Sequence, residues 1–228
     1  MASRIRFSVL LAGIMGAVLL VSQVVSAGVV SERRSGFLDR DFAGGRIGVW
    51  ENTGDENGDP EDNFDMEFSS TSVFAEFFYD YRVGPALAAE ISIGIYSRGE
   101  VKYIRESDTY LGSVNLYPIM LGAKFYPFYA VKTSPLHLFL QPAVGIVIGR
   151  QNVVDYDESL GLGIVIDESR ARFTYSLGLG FDWPVADQIG LTGNFKYTPV
   201  KFGEELARVS DYSGWSLTFG VGYIFSRK

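Results

Sequence analysis

Leu87-Ala88-Ala89-Glu90-Ile91-Ser92-Ile93-Gly94-Ile95-Tyr96 decides the fold. Odd positions carry Leu87, Ala89, Ile91, Ile93 and Ile95. Even positions carry Ala88, Glu90, Ser92, Gly94 and Tyr96. An extended chain sends successive side chains to opposite faces, so this alternation gives a strand with one apolar face and one small, mildly polar face. A helical period would mix the two sets. The pattern recurs at Phe173, Tyr175, Leu177, Leu179, Phe181 and Trp183, set between Thr174, Ser176, Gly178, Gly180 and Asp182. It recurs again at Trp215, Leu217, Phe219, Val221, Tyr223 and Phe225.

Working outward gives eight such segments, near 45–51, 70–81, 86–97, 114–126, 136–149, 171–183, 189–198 and 214–225. Soluble strands average about 5–6 residues, whereas a strand tilted across a bilayer needs about 9–11. The longer segments therefore predict membrane spans. Short turns follow the second, fourth and sixth segments, around 82–85, 127–135 and 184–188. Longer polar loops follow the first, third, fifth and seventh, near 52–65, 98–112, 150–170 and 199–213. Val101–Ile104 and Leu162–Ile166 extend the alternation, as projecting hairpins would. The fold class predicted is all-β: an eight-stranded antiparallel transmembrane β-barrel of up-and-down topology, with short turns at one end and long loops at the other. Closure is a physical requirement, because an open sheet edge in lipid strands backbone hydrogen-bonding groups.

The small polar face suits the cramped interior of eight strands, which leaves the apolar face to lipid. Alternation then places Glu76, Glu90, Lys124, Asp182 and Lys196 in the lumen. Desolvated charges need partners, so an ion-pair network is expected there. A soluble barrel of lipocalin type is the alternative. It would reverse the faces and carry dense charge outside. Aromatics make up 14 % of the chain and gather towards segment ends. Trp50, Tyr117, Phe173, Tyr197 and Trp215 form one group. Tyr79, Tyr81, Phe125, Phe181, Trp183, Tyr223 and Phe225 form the other. Two girdles at the membrane–water interfaces are the expected reading.

The N-terminus reads as an export signal. Arg4 and Arg6 precede an apolar run from Phe7 to Val21, and Val25-Ser26-Ala27 supplies small residues for cleavage. An uncleaved anchor is the other reading of that run. The 228-residue chain has no Cys and a net charge of −7. Those facts exclude disulfides and Cys-ligated metals, and they argue against nucleic-acid binding.

Thr218-Phe219-Gly220-Val221-Gly222-Tyr223-Ile224-Phe225 resembles the C-terminal targeting strand of outer-membrane proteins, with Thr218, Gly220, Tyr223 and Phe225 at the signature places. The departure is Ser226-Arg227-Lys228, since the last aromatic usually ends the chain. With its eight alternating segments, the sequence is similar to the small outer-membrane β-barrel family, the OmpA/OmpX/OmpW-like group. The resemblance covers about 44–225. It implies a bacterial outer-membrane location after signal cleavage, recognition by the barrel assembly machinery, and outer-membrane lipids as surroundings. The expected organisation is a signal peptide over 1–27, a flexible periplasmic tail over 28–43, and the barrel over 44–228.

No enzyme or cofactor is expected. The single histidine, His137, cannot supply a two-His metal site. Barrel enzymes that trim lipid A carry a His-x-Ser motif, whereas here the run is His137-Leu138-Phe139, and His137 reads as an interfacial ring. Asp55, Asn57 and Asp59 match the first ligand spacings of a calcium loop, but Pro60 replaces its glycine and Met66 its final Glu. The acidic loops are either simply solvated or loosely associated with divalent cations. The functional expectation is an envelope-structural or surface-interaction role with a polar, largely plugged lumen. A small porin-like channel is the alternative, and a lipid-A-modifying enzyme stands behind both.

Overall fold

Twelve residues, Asp41–Asn52, form the first strand, β1, and its ladder partners are the second and the last strands of the chain. The structure, a computed structural model, describes residues 34–54, 71–105, 108–130, 135–157, 162–206 and 209–225. The export signal, the calcium-like run at 55–66 and the last three residues lie outside them. After β1 come β2 (Thr71–Gly84), β3 (Leu87–Arg105), β4 (Asp108–Phe125), β5 (His137–Asp157), β6 (Leu162–Pro184) and β7 (Ile189–Thr198). Two short strands, β8 (Lys201–Leu206) and β9 (Val209–Asp211), precede β10 (Gly214–Phe225). Every pairing is antiparallel, and the order β1-β10-β7-β6-β5-β4-β3-β2 closes on itself as an eight-stranded barrel. β8 and β9 pair only with each other.

Short connections explain the sequential order. Gly84-Pro85-Ala86-Leu87 turns β2 into β3, with the fixed φ of Pro85 suited to the first corner of a tight turn. At the other end the paired strands run on. β3 and β4 stay paired to Arg105↔Asp108, with a register shift between Ser97 and Glu100, and β5 and β6 stay in register to Asp157↔Leu162. The projecting hairpins expected near 101–104 and 162–166 are thus present. The two ends are called the turn end and the hairpin end below.

Burial separates the faces as alternation requires. Phe77 is 74 % exposed, whereas its neighbour Glu76 is 3 % exposed. Val73, Ile91, Ile93, Leu138, Leu140, Val144, Ile146, Leu177 and Leu179 are all exposed on the outside. A continuous apolar belt of this kind belongs in lipid, not water. On β5 the outward column runs from Leu138 to Ile148 before Arg150. That is about 34 Å of strand at ~3.4 Å per residue, or about 24 Å of depth at a ~45° tilt, close to the ~25 Å apolar band of such barrels.

Three expectations are corrected. First, the compact barrel unit begins at Gly36, not at residue 44. A 3-10 helix spans Arg34–Asp39, and Phe37 and Leu38 are buried in the mouth of the turn end. Apolar side chains facing a barrel mouth gain more from burial than a free tail would. Second, the stretch 199–213 is not simply a polar loop. It folds as the β8–β9 hairpin, whose Phe202, Leu206, Val209 and Tyr212 are buried over the hairpin end. Third, Trp50 does not belong to an outer girdle. It shares the parity of Arg46 on β1, faces inward and is 2 % exposed. Its ring stacks on Tyr96 at 4.3 Å and meets Phe74 edge-on at 5.9 Å.

Candidate functional site

The interior is where the chemistry-bearing side chains converge, and it is layered. At mid-height lie the five charges read from alternation, Glu76, Glu90, Lys124, Asp182 and Lys196, all buried. Arg46, Asp80 and Arg82 lie among them and were not foreseen. Their parity was the available signal. Asp80 and Arg82 continue the inward series of Glu76, and Arg46 holds the inward place between Gly45 and Ile47.

The strands bring these groups into one network. Arg46 Nη2 lies 2.8 Å from Glu76 Oε2 and 2.7 Å from Glu90 Oε1. Lys196 Nζ is 2.7 Å from Glu76 Oε1. Lys124 Nζ faces Asp80 Oδ2 at 2.7 Å, Glu90 Oε2 at 3.1 Å and Asp182 Oδ2 at 3.5 Å. Arg82 Nη2 is 3.6 Å from Asp182 Oδ2. Four carboxylates thus meet four cations. Neutral donors complete the set: Gln141 Nε2 donates to Glu90 Oε1 at 2.6 Å, Asn194 Nδ2 to Gln141 Oε1, and Tyr126 Oη to Asp182 Oδ2 at 2.6 Å. Such pairing is what buried charge demands, since an unpaired ion in a low-dielectric interior costs several kcal/mol.

Aromatic rings cover the network. Arg46 rests on Phe78 at 4.4 Å, and Lys124 on Phe139 at 4.4 Å. Arg82 lies over Phe37 at 4.7 Å and Tyr126 at 4.5 Å, within cation–π range. Towards the turn end an apolar layer follows: Phe37, Leu38, Phe42, Phe78, Ala88, Tyr126, Phe139 and Ile224. His137, half-buried, stacks on Phe37 at 5.4 Å. Arg40 Nη1 donates to the carbonyl of Asp187 at 2.8 Å, tying the N-terminal segment to the β6–β7 turn. Towards the hairpin end a second apolar layer joins Trp50, Phe74, Tyr96, Val114, Leu116 and Val147 to the side chains of the β8–β9 hairpin.

Among the described residues no group of three His, Cys, Asp or Glu is placed to hold a metal ion. The network's carboxylates are instead turned towards ammonium and guanidinium groups.

The remaining candidate residues lie on the wall. Tyr79, Tyr81, Tyr117, Phe125, Phe173, Phe181, Trp183, Tyr197, Trp215, Tyr223 and Phe225 hold outward positions of their strands. Phe225 stacks on Tyr79 at 6.0 Å and on Tyr223 at 6.2 Å near the turn end. Thr218 is buried inward. Gly220 has a packing reason of its own. A Cβ there would come within 2.0 Å of the Gly45 carbonyl oxygen and 2.7 Å of Arg46 Cα, so only glycine lets β10 close on β1 beside the Arg46 side chain.

This is the arrangement of a membrane barrel, and comparison with known proteins agrees. Residues 19–225 match the family described as the outer membrane protein beta-barrel domain. The chain belongs to that family. Its members are barrels of the bacterial outer membrane, and that is the location the family implies here. Three solved structures share the fold. OprG of Pseudomonas aeruginosa is 13 % identical, with a TM-score of 0.55 over 83 % of this chain and 97 % of that one. Neisserial surface protein A is 14 % identical, with a TM-score of 0.52 over 82 % and 97 %. Ail, the attachment invasion locus protein of Yersinia pestis, was solved with the heparin analogue sucrose octasulfate. It is 16 % identical, with a TM-score of 0.50 over 82 % and 99 %. At such identities the likeness concerns the fold alone. Comparison with curated proteins gives no match.

Proposed function

We propose that the protein is a non-enzymatic outer-membrane barrel with a sealed interior, acting in an envelope-structural or surface-interaction role through the hairpins that project from one end. The observation that carries this reading is the charge layer of Arg46, Glu76, Asp80, Arg82, Glu90, Lys124, Asp182 and Lys196, held between two apolar layers. Ion passage would have to break this ion-pair network and then cross buried rings on both sides. The hairpin end faces the outside in this reading, and the turn end, where Asp41 meets Phe225, faces the periplasm. Export follows cleavage after Ala27, and the C-terminal strand engages the assembly machinery through Thr218, Gly220, Tyr223 and Phe225. The outward aromatics anchor the two interfaces, and the acidic loops associate loosely with divalent cations and lipid phosphates.

Single-chain conductance in planar bilayers tests the sealed interior. The expected result is a silent bilayer containing folded protein. Steady openings, independent of protein concentration, would overturn it in favour of a small channel.

A further inference from the structure

Arg40, Asp41 and Phe42 stand where the chain enters β1, and each reaches a different neighbour. Arg40 Nη1 donates to the Asp187 carbonyl at 2.8 Å. Asp187 leads into β7, and β10 lies between β7 and β1, so this bond passes over the end of β10. Inside the barrel the Phe42 ring makes the same crossing. A Cβ on Gly222 of β10 would come within 2.5 Å of Phe42 Cε2, and one on Gly190 of β7 within 3.0 Å of the same atom. Phe42 is fully buried and meets Phe78 of β2 edge-on at 5.2 Å. On the other side Asp41 Oδ1 accepts from Arg82 N at 2.9 Å, and Asp41 Oδ2 accepts from Tyr79 Oη at 2.9 Å, which fixes the segment to β2. The three residues thus bind β2, β1, β10 and the entry to β7 together at the turn end.

They do so beside a seam poor in side-chain contacts. β1 and β10 are the first and last strands, so they are the one neighbouring pair in the barrel that no turn or loop joins. Five of their twelve ladder pairs include glycine: Gly44↔Gly222, Gly45↔Val221, Arg46↔Gly220, Gly48↔Thr218 and Asn52↔Gly214. Cross-strand side-chain pairs stabilise a sheet, and glycine contributes nothing to them. The same lack of side chains gives the Phe42 ring its seat on Gly222 and Gly190.

We propose that Arg40, Asp41 and Phe42 form a clasp over the β1–β10 seam, and that this seam is the line along which the folded barrel opens first. The clasp is set last in folding. Phe42 finds Gly222 and Gly190 only when β10 already lies beside β1 and β7. Arg40 finds the Asp187 carbonyl only when the β6–β7 turn is in place. The clasp is independent of whether the lumen conducts.

The test is amide exchange, resolved by NMR, in the folded chain in detergent micelles, with a folded-band gel shift to verify each variant. Phe42→Ala should speed exchange in the turn-end half of the seam, residues 43–47 and 219–223, about tenfold or more, since it removes a buried ring. Arg40→Met changes an exposed hydrogen bond and should speed the same amides about threefold, the scale of one such bond. It carries the test alone if Phe42→Ala does not fold. Residues 119–121 and 144–146, in the β4–β5 ladder on the opposite wall, should keep their native rates. Ala43 and Tyr223 are ladder partners, and the chain has no cysteine. A disulfide between Ala43→Cys and Tyr223→Cys, added to either variant, should therefore return the seam to its native rate, and reduction should release it again. Equal acceleration at both sets of amides would mean a general loss of stability and overturns the proposal. So do native rates at the seam in folded Arg40→Met, or seam exchange that stays fast under the disulfide.

Discussion

Lys124 Nζ lies 2.7 Å from Asp80 Oδ2, and neither side chain is accessible to solvent. The same ammonium also faces Glu90 and Asp182. Lys124 on β4 therefore keeps carboxylates of β2, β3 and β6 from facing one another uncompensated. Replacing both members of a buried pair with apolar groups is often neutral, but removing one member leaves buried charge behind. Lys124→Met is expected to destabilise the barrel by about 3–5 kcal/mol. The urea midpoint of the folded gel band reads this directly. An unchanged midpoint would mean that the three carboxylates are not held as described.

How far the sequence carries this site depends on which residues are asked about. Glu90, Lys124 and Asp182 were legible because each sits in a segment with strict alternation, and parity alone assigns the inner face. Arg46 sits in a glycine-rich segment whose contrast between faces is weak, and Asp80 and Arg82 lie beside a turn, where aromatics draw the eye. Trp50 satisfied two rules that disagree: an aromatic near a strand end suits a girdle, yet its parity matches Arg46. Parity prevails because the ladder to β10 and β2 fixes the register of β1 throughout. The burial of Phe37 and of the β8–β9 hairpin was not legible. Phe202, Leu206 and Tyr212 stand among Glu204, Glu205 and Asp211 with no period, and their shelter comes from barrel walls distant in sequence.

The hairpin should loosen in acid. Partial burial pushes the Asp211 carboxyl up, but hydrogen bonds from Ser213 and Lys201 outweigh it and hold the group below its ordinary value of 3.8. Ser213 N donates at 2.9 Å, and Lys201 Nζ lies at 2.9 Å. A depressed folded-state value means that the stabilisation is complete above the unfolded value and fades as pH falls through the folded one. Amide-exchange protection at Ser213, corrected for intrinsic rates, should fall below about pH 3.8 in the native chain. In Asp211→Asn it should be lower and flat with pH. A pH-independent native protection would mean that Asp211 does not hold the hairpin.

Export to the membrane should depend on the last strand. Tyr223 is half exposed on the outer wall and stacks on Phe225, which in turn stacks on Tyr79. A charge at either position would place an ion on the lipid face of β10, where Arg or Lys costs about 2–4 kcal/mol at mid-depth, a carboxylate less, and either less near the interface. It would also alter the proposed recognition strand. Tyr223→Asp and Phe225→Asp are expected to reduce outer-membrane levels severalfold, by fractionation and immunoblot. Gly220 offers a contrast, because its replacement by Ala meets backbone at the β1–β10 seam and should yield exported but unfolded chain. Native levels in both aspartate variants would detach the strand from targeting.

Orientation follows from strand parity. Eight barrel strands return the chain to the end from which it entered, so Asp41 and Phe225 share one end of the barrel. If the C-terminal strand ends in the periplasm, the β3–β4 and β5–β6 hairpins must project outward, and the β6–β7 turn must face the periplasm. Asp157 ends β5 at the far tip of one hairpin, whereas Asp187 is exposed in the opposite turn. The chain contains no cysteine, so each single substitution is a clean reporter. Asp157→Cys should react with a membrane-impermeant thiol reagent on intact cells. Asp187→Cys should react only after the outer membrane is breached, and both should react fully in detergent. Labelling of Asp187→Cys on intact cells with Asp157→Cys protected would invert the barrel, and with it the surface role argued for the hairpins.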